Sequence, residues 1–546
     1  MVLKQPAVIG LDIGTTGAKG ILVTGRGRVL AEAAASYDVL TPRPFWAEQW
    51  PQVWLDGAVA VLQDLARQAA ESGDAKDAGP GAGSTAGARG AAARGGGRSG
   101  ISIEALCISS LYGGSGVPCD EHLEPLHPAL IWMDRRAVEQ SRAAVARVGL
   151  GRLQAITGNG ADPYYGFTKV LWLKEKRPDV WAKTRHLVTP NAYLIYRLTG
   201  SLCMDYSSAG NIGGFFDLER RRWSDQLLAE FGIPARLFSD NLVASDAIVG
   251  RLTAEAAGWT GLPAGLPVVA GGIDAAVATF AAGVLKEGQH AAMIGTSMCW
   301  GTVHERGILS PTLVSMPYVI EPGRLTYSFG GAATAGGAAK WFRDRFGQEE
   351  AERARARGLS PYALLDEAAA AIPAGSDGVV TLPYFMGERS PLWDPYVRAG
   401  VVGLTLYHTK AHVYRSILES VAYTLRQNME IVRAAGTNLD PPLVLDPVLR
   451  VVGGVAASDV WTQIIADVTG YPAIRPLVSS DAPLGDALLA AKAVGLVDDY
   501  ASAIEQWVRW RAPIQPQAAN RPVYDETYAS FVELYRLLKG FWGDQS

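Results

Sequence analysis

The sequence predicts an α/β protein of two similar halves facing each other across a cleft. Three observations carry that expectation. Short β-branched runs, such as 7–11, 105–109 and 267–270, alternate with amphipathic segments such as 54–68 and 413–434. IGTTGAKG at 13–20 recurs as IGTSMCWG at 294–301, each following one apolar run and leading into another. A chain of 546 residues also exceeds what one hydrophobic core supports. The boundary is expected near 248–252, giving domains 1–248 and 249–546.

Composition removes several function classes. Hydrophobic residues make up 48% and charged residues 19%, the balance of a folded chain. A net charge of −4 gives no basic excess for nucleic acid. Cys107, Cys119, Cys203 and Cys299 are scattered without metal-ligand spacing and read as reduced, in a cytoplasmic setting. No apolar core of a secretory signal precedes Asp12, and no run reaches the roughly 20 apolar residues of a membrane helix. Residues 72–100 carry almost no large apolar side chain and read as a flexible insertion.

Taken in order, the first element is VIGLDIGTTGAKGILV at 8–23. An apolar strand ends on Asp12 and turns through Gly14, Thr15, Thr16 and Gly17. Glycines let backbone N–H groups approach an anion, and the threonine hydroxyls add donors. Gly295, Thr296 and Ser297 form the matching turn in the second half, so the two turns can grip a polyphosphate from both sides. Neither is a Walker A loop nor G-x-G-x-x-G. Asp12 beside a polyphosphate is placed to hold Mg2+, an ion that prefers oxygen ligands.

In VVAGGIDAAVATFAAG at 268–283, Asp274 sits at a strand-to-helix turn, where it reads equally as a general base or a helix N-cap. A third glycine turn, Gly453-Gly454, again joins a strand to a helix and allows close backbone approach to a nucleotide. His408 and His412 have i, i+4 spacing but lack the glutamate and third ligand of a zinc site. Trp46, Trp50 and Trp54 read as core residues rather than a sugar-stacking set.

These pieces together resemble the FGGY carbohydrate kinases, within them the xylulokinase-like group. The matching stretches include DIGTTGAKG, PFWAEQWP at 44–51, ALIWMDRRA at 129–137, PAGLPVVAGGIDAA at 263–276, FMGERSPLWDP at 385–395 and GGVAASDVWTQIIADVTG at 453–470. The resemblance implies two ribonuclease-H-like (actin-like ATPase) domains with ATP and a sugar in the interdomain cleft. ATP and Mg2+ would be the cofactors. It also implies a metal-linked Asp12 and phosphate loops at Thr15, Thr16, Gly295, Thr296 and Ser297. Gly453 and Gly454 would lie on the adenosine side, and Asp274 would be the catalytic base. The sugar would lie near Tyr112, Gly113, Gly114, Ser115, Asp134, Arg135 and Asp274.

Two departures bear on substrate. The family's Met-His-Gly becomes Gly113-Gly114-Ser115, and the Asp-Asn or Asp-Gln at the base becomes Asp274-Ala275. A pocket that loses these groups should select less for xylulose, so another pentulose, a tetrulose or a polyol is expected alongside it. The expected partner is this small acceptor, with no nucleic acid and no membrane, and a homodimer is admitted. The non-enzymatic rival is an actin-like nucleotide-binding protein, which has no need of an acid at Asp274.

Overall fold

The structure, a computed structural model, describes residues 4–74, 100–305, 307, 309–477 and 481–543. Of the insertion expected at 72–100, residues 75–99 lie outside the described residues. Two six-stranded sheets organise the rest. In the first, Gln5–Ile13, Gly17–Thr24 and Val29–Ser36 form an antiparallel meander. On the other side of Gln5–Ile13 come Ile101–Ser110 and Pro267–Val269, both parallel, then Ile248–Arg251 as an antiparallel edge.

The second sheet repeats the plan. His290–Ile294, Met298–His304 and Thr326–Ala332 form the meander, and Leu449–Val452 and Ala473–Ile474 follow in parallel. Its extra edge strand, Val314–Pro317, lies at the meander end. The expected pair of ribonuclease-H-like domains is therefore present, and the repeated IGT[TS] motif is the first β-turn of each meander. Because Ile248–Arg251 and Pro267–Val269 complete the first sheet, we propose that the domains divide between residues 281 and 290 rather than at 248.

The strand Gln5–Ile13 shows why the sheets form. Ala7, Val8, Ile9, Leu11 and Ile13 are all fully buried, as in a strand covered on both faces. The helix Pro51–Asp74 packs along the strands Gly17–Thr24 and Val29–Ser36, burying Trp54, Ala58, Val61, Leu62 and Leu65 at helical spacing. The helix Ala482–Ala493 belongs by sequence to the second half, yet it packs on Gln5–Ile13 and Ile101–Ser110 of the first sheet. A Cβ on Gly10 would stand 1.9 Å from the Pro483 carbonyl oxygen, so the close approach requires glycine. Among the described residues, no helix is long and apolar enough to cross a membrane.

Gly10→Ala is therefore expected to destabilise the protein by about 1–3 kcal/mol or more, the usual cost of overpacking against backbone that must shift. Gly454→Ala, where a Cβ meets nothing within 4 Å, should leave the melting temperature unchanged. Thermal melts of the two variants check the pair, and equal melting temperatures would refute the close-packing argument.

Candidate functional site

Three glycine turns converge between the domains. In the first, Gly14 N–H donates to the Gly17 carbonyl at 2.9 Å. The Tyr37 hydroxyl donates to the Gly14 carbonyl at 2.7 Å, and the Gln49 amide to the Thr15 carbonyl at 2.9 Å. The Trp132 indole donates to Thr15 Oγ1 at 3.0 Å. Gln49 is itself held by the indole of the fully buried Trp54. Trp46 instead lies 3.5 Å beneath the Arg136 guanidinium, and Trp50 is exposed, so the three tryptophans do not form one set.

In the second turn, Gly295 N–H donates to the Ser297 carbonyl at 2.9 Å. Ala335 and Gly337 N–H groups brace the Thr296 carbonyl at 2.9 and 3.0 Å. Gly453 has φ +88°, and a Cβ there would lie 2.6 Å from the Ile294 carbonyl oxygen. The third turn is thus seated directly on the strand that leads into the second.

A cavity of ≈ 560 Å³ lies between the domains. Its walls include Asp12, Thr15, Lys19, Asp274, Gly295, Ser297, Gly453 and Gly454. Through Ile294, Gly295 and Gly454 it meets a second cavity of ≈ 470 Å³, which takes in Thr296, Tyr362, Asp366 and Ser458. Thr16 is exposed and lines neither. One elongated site therefore runs from first-domain loops, past both hairpins, to the helices of the second domain.

Asp274 occupies the first turn of the helix Asp274–Ala281, but the N-cap is Ile273. Its Oδ1 accepts from its neighbour's N–H, on Ala275, at 2.7 Å. Asp274 is therefore not the N-cap residue, although its carboxylate serves one first-turn N–H, and it also lines the cavity. Burial raises its pKa above the usual carboxylate range, against the lowering effects of the Ala275 N–H and the Arg389 charge.

Asp12 is raised too, first by burial and then by the Asp274 charge, while Lys19, its cross-strand partner, pulls it down. Below it the Ser109 hydroxyl bridges Asp12 Oδ1 at 3.3 Å and Asp486 Oδ2 at 2.5 Å. Asp486 is fully buried, and desolvation pushes it well above its ordinary value.

The expected sugar contacts divide. Tyr112 lines the cavity, its hydroxyl held by Gly166 N–H. Gly113, Gly114 and Ser115 do not: Gly113 packs on Pro190, Gly114 on the Leu130 carbonyl, and the Ser115 hydroxyl donates to the Gly116 carbonyl. Asp134 is fully buried and spent on Ala47 N–H and Arg136. Arg135 pairs with Asp162, and both line an adjoining ≈ 370 Å³ cavity that shares Trp132 and Arg389 with the main one. Lys19, Trp132, Tyr164, Asn211, Cys299 and Arg389 line the site without having been singled out from sequence. His408 and His412 accept Thr405 and Thr409 N–H groups at their Nδ1 atoms, and no cluster of three metal-binding side chains occurs among the described residues.

Comparison with known proteins fits this geometry. The model of the FGGY family of carbohydrate kinases, N-terminal domain, matches residues 7–281, and its C-terminal counterpart matches 290–494. A xylulose kinase of Lactococcus lactis is 28% identical over 540 residues, covering 97% of this chain and 96% of that protein. A gluconokinase of Bacillus licheniformis is 27% identical over 541 residues, with the same coverage of 97% and 96%. The crystal structure of xylulose kinase from Rhodospirillum rubrum superposes with a TM-score of 0.82 at 30% identity, covering 98% of this chain and 100% of that one.

A carboxyl group whose pKa is higher in the folded than in the unfolded state binds its proton more tightly when folded. Its contribution to stability therefore falls as pH rises from the unfolded value, ~4, through the folded one. Asp274→Asn removes that titration. In ligand-free melts the variant should lie at or above wild type at about pH 8, with the difference shrinking by about pH 5. A variant that melts lower at the higher pH would show the carboxylate to be a stabilising contact instead.

Proposed function

Because the chain belongs to the FGGY family of carbohydrate kinases, we propose that it transfers the γ-phosphoryl group of ATP to a primary hydroxyl of a small ketose such as xylulose. The observation that carries the reading is a site between the domains that holds both glycine–threonine hairpins and the carboxylate of Asp274, which lines the cavity while accepting only the Ala275 N–H. Asp274 takes the proton of the acceptor hydroxyl as its oxygen attacks the γ-phosphorus, and ADP leaves in line. Backbone N–H groups of the two hairpins, with Thr15, Thr296 and Ser297, hold the phosphates. Gly453 and Gly454 border the adenosine. Catalysis on this reading is positioning and electrostatics, since both reactants are held with their reacting atoms facing.

Mg2+ takes few protein ligands and keeps several waters, so one hard carboxylate of this acidic cavity, at a polyphosphate site, fits it. Asp12 would hold the ion, which when bound neutralises charge on the phosphate oxygens.

Ala275 turns a methyl group to the cavity where an amide is usual, which supports a broader acceptor range that takes in another pentulose, a tetrulose or a polyol. A second reading is favoured by Arg389. Arg389 is a buried residue that lines the cavity, and its charge acts on Glu388 and Asp274 from beyond hydrogen-bond distance. An acceptor that brings its own carboxylate, such as an aldonate, would meet this cation directly.

An ADP-release screen over D-xylulose, L-xylulose, D-ribulose, L-ribulose, erythrulose, four- and five-carbon polyols and D-gluconate tests both readings. Asp274→Asn should lower kcat by roughly 10²–10⁴ on the best acceptor while leaving nucleotide affinity intact. A variant with near-wild-type kcat would refute the base assignment. Because Asp274 must be ionised to act, wild-type kcat/KM should fall as pH is lowered, with a midpoint above the ~4 of an ordinary carboxylate.

A further inference from the structure

Asn211 ends the short helix Tyr206–Asn211, in the first domain. The helix is pinned at both ends. The Asp205 carboxylate caps it by accepting from Ser208 N–H at 2.9 Å and the Ser207 hydroxyl at 2.5 Å, and Gly210 packs on Met316 and Pro317 of the second sheet. The side chain it delivers is fully buried, yet it lines the cavity beside Asp274. Neither its Oδ1 nor its Nδ2 has a hydrogen-bond partner among the described residues. A cavity-lining amide that no protein group satisfies, with both donor and acceptor turned to the cavity, is available to a ligand.

The polar groups that line the same cavity are partly committed to the protein. The Trp132 indole is spent on Thr15, the Tyr112 hydroxyl accepts from Gly166, and Arg389 donates to the Met298 and Ala332 carbonyls. Asp274 can accept from one hydroxyl but offers no donor when ionised. An amide facing two adjacent hydroxyls can donate to one and accept from the other. Ala275 presents only a methyl group at the same wall.

We propose that Asn211 is the residue that reads the acceptor, binding a vicinal pair of hydroxyls next to the carbon that is phosphorylated, and so takes over the amide function missing at Ala275. The acceptor class this selects is a polyhydroxy compound with adjacent free hydroxyls, because the amide needs both a donor and an acceptor from its ligand. The inference rests on the kinase reading above.

The test is steady-state kinetics of Asn211→Ala and Asn211→Leu with D-xylulose, D-ribulose, erythrulose, xylitol and D-gluconate, alongside thermal melts. Loss of two uncharged hydrogen bonds should raise KM for the best acceptor roughly 5- to 150-fold and narrow the spread of kcat/KM across the five. KM for ATP should change little, and kcat should fall less than kcat/KM. Because the amide has no protein hydrogen-bond partner to lose, both variants should melt close to wild type. A structural role would give the opposite pattern, with lower melting temperatures and no change in acceptor selectivity, and would overturn the proposal. Unchanged acceptor KM in stable variants would overturn it as well. A wild-type protein that phosphorylates none of the five refutes the kinase reading on these acceptors, and this inference with it.

Discussion

The cleft depends on two helices that meet at its floor. Asp274–Ala281 leaves the last parallel strand of the first sheet, while Ala482–Ala493 follows the last strand of the second and crosses to pack on the first. They touch at Gly485, where a Cβ would lie 2.4 Å from the Val277 carbonyl oxygen. Gly10 and Gly485 thus let a second-domain helix lie against a first-domain strand and a first-domain helix at once. That crossing fixes Asp274 in the first turn of one helix and Asp486 within the other, both close enough to act on Asp12. Any movement of one domain against the other must pass through this contact.

The same crossing explains the electrostatics. Three carboxyl groups, Asp12, Asp274 and Asp486, are gathered where burial disfavours their charge. Lys19 and Arg389 offset part of that cost by facing the cavity, and the Ser109 hydroxyl ties the deepest acid to Asp12. Such a cluster is costly to the fold, and on the kinase reading proposed above the cost serves a site for a polyanion, its counter-ion and a hydroxyl to be deprotonated. Asn211 follows the same logic with a neutral group: polar capacity is buried in advance and left for a ligand to satisfy.

Much of this was legible because it is local. A carboxylate at a strand end, paired glycine turns and a strand-to-helix aspartate are short-range patterns, and Asp12, Thr15, Asp274, Gly295, Ser297, Gly453 and Gly454 all line one cavity. What failed to read is set by packing. Asp134 and Arg135 sit in one motif with Arg136, and sequence does not say that Arg136 and Asp162 consume both charges. Gly113-Gly114-Ser115 is bent back onto Leu130 and Pro190, leaving only Tyr112 of that loop at the cavity. Asn211, Tyr164 and Arg389 arrive from separate loops with no shared periodicity. The strands Ile248–Arg251 and Pro267–Val269 are too short to advertise which sheet they join, which is why the boundary proposed from the sheets differs from the one expected from sequence.

The most direct measurement is a crystal structure of the protein with a non-hydrolysable ATP analogue, Mg2+ and the best acceptor from the screen. The expected result has the terminal phosphate between the hairpins at Gly14–Gly17 and Gly295–Ser297. The acceptor's primary hydroxyl should lie roughly 2.6–3.2 Å from the Asp274 carboxylate, within hydrogen-bond reach. An acceptor bound with no hydroxyl near Asp274, or a triphosphate lying outside the two hairpins, would contradict it.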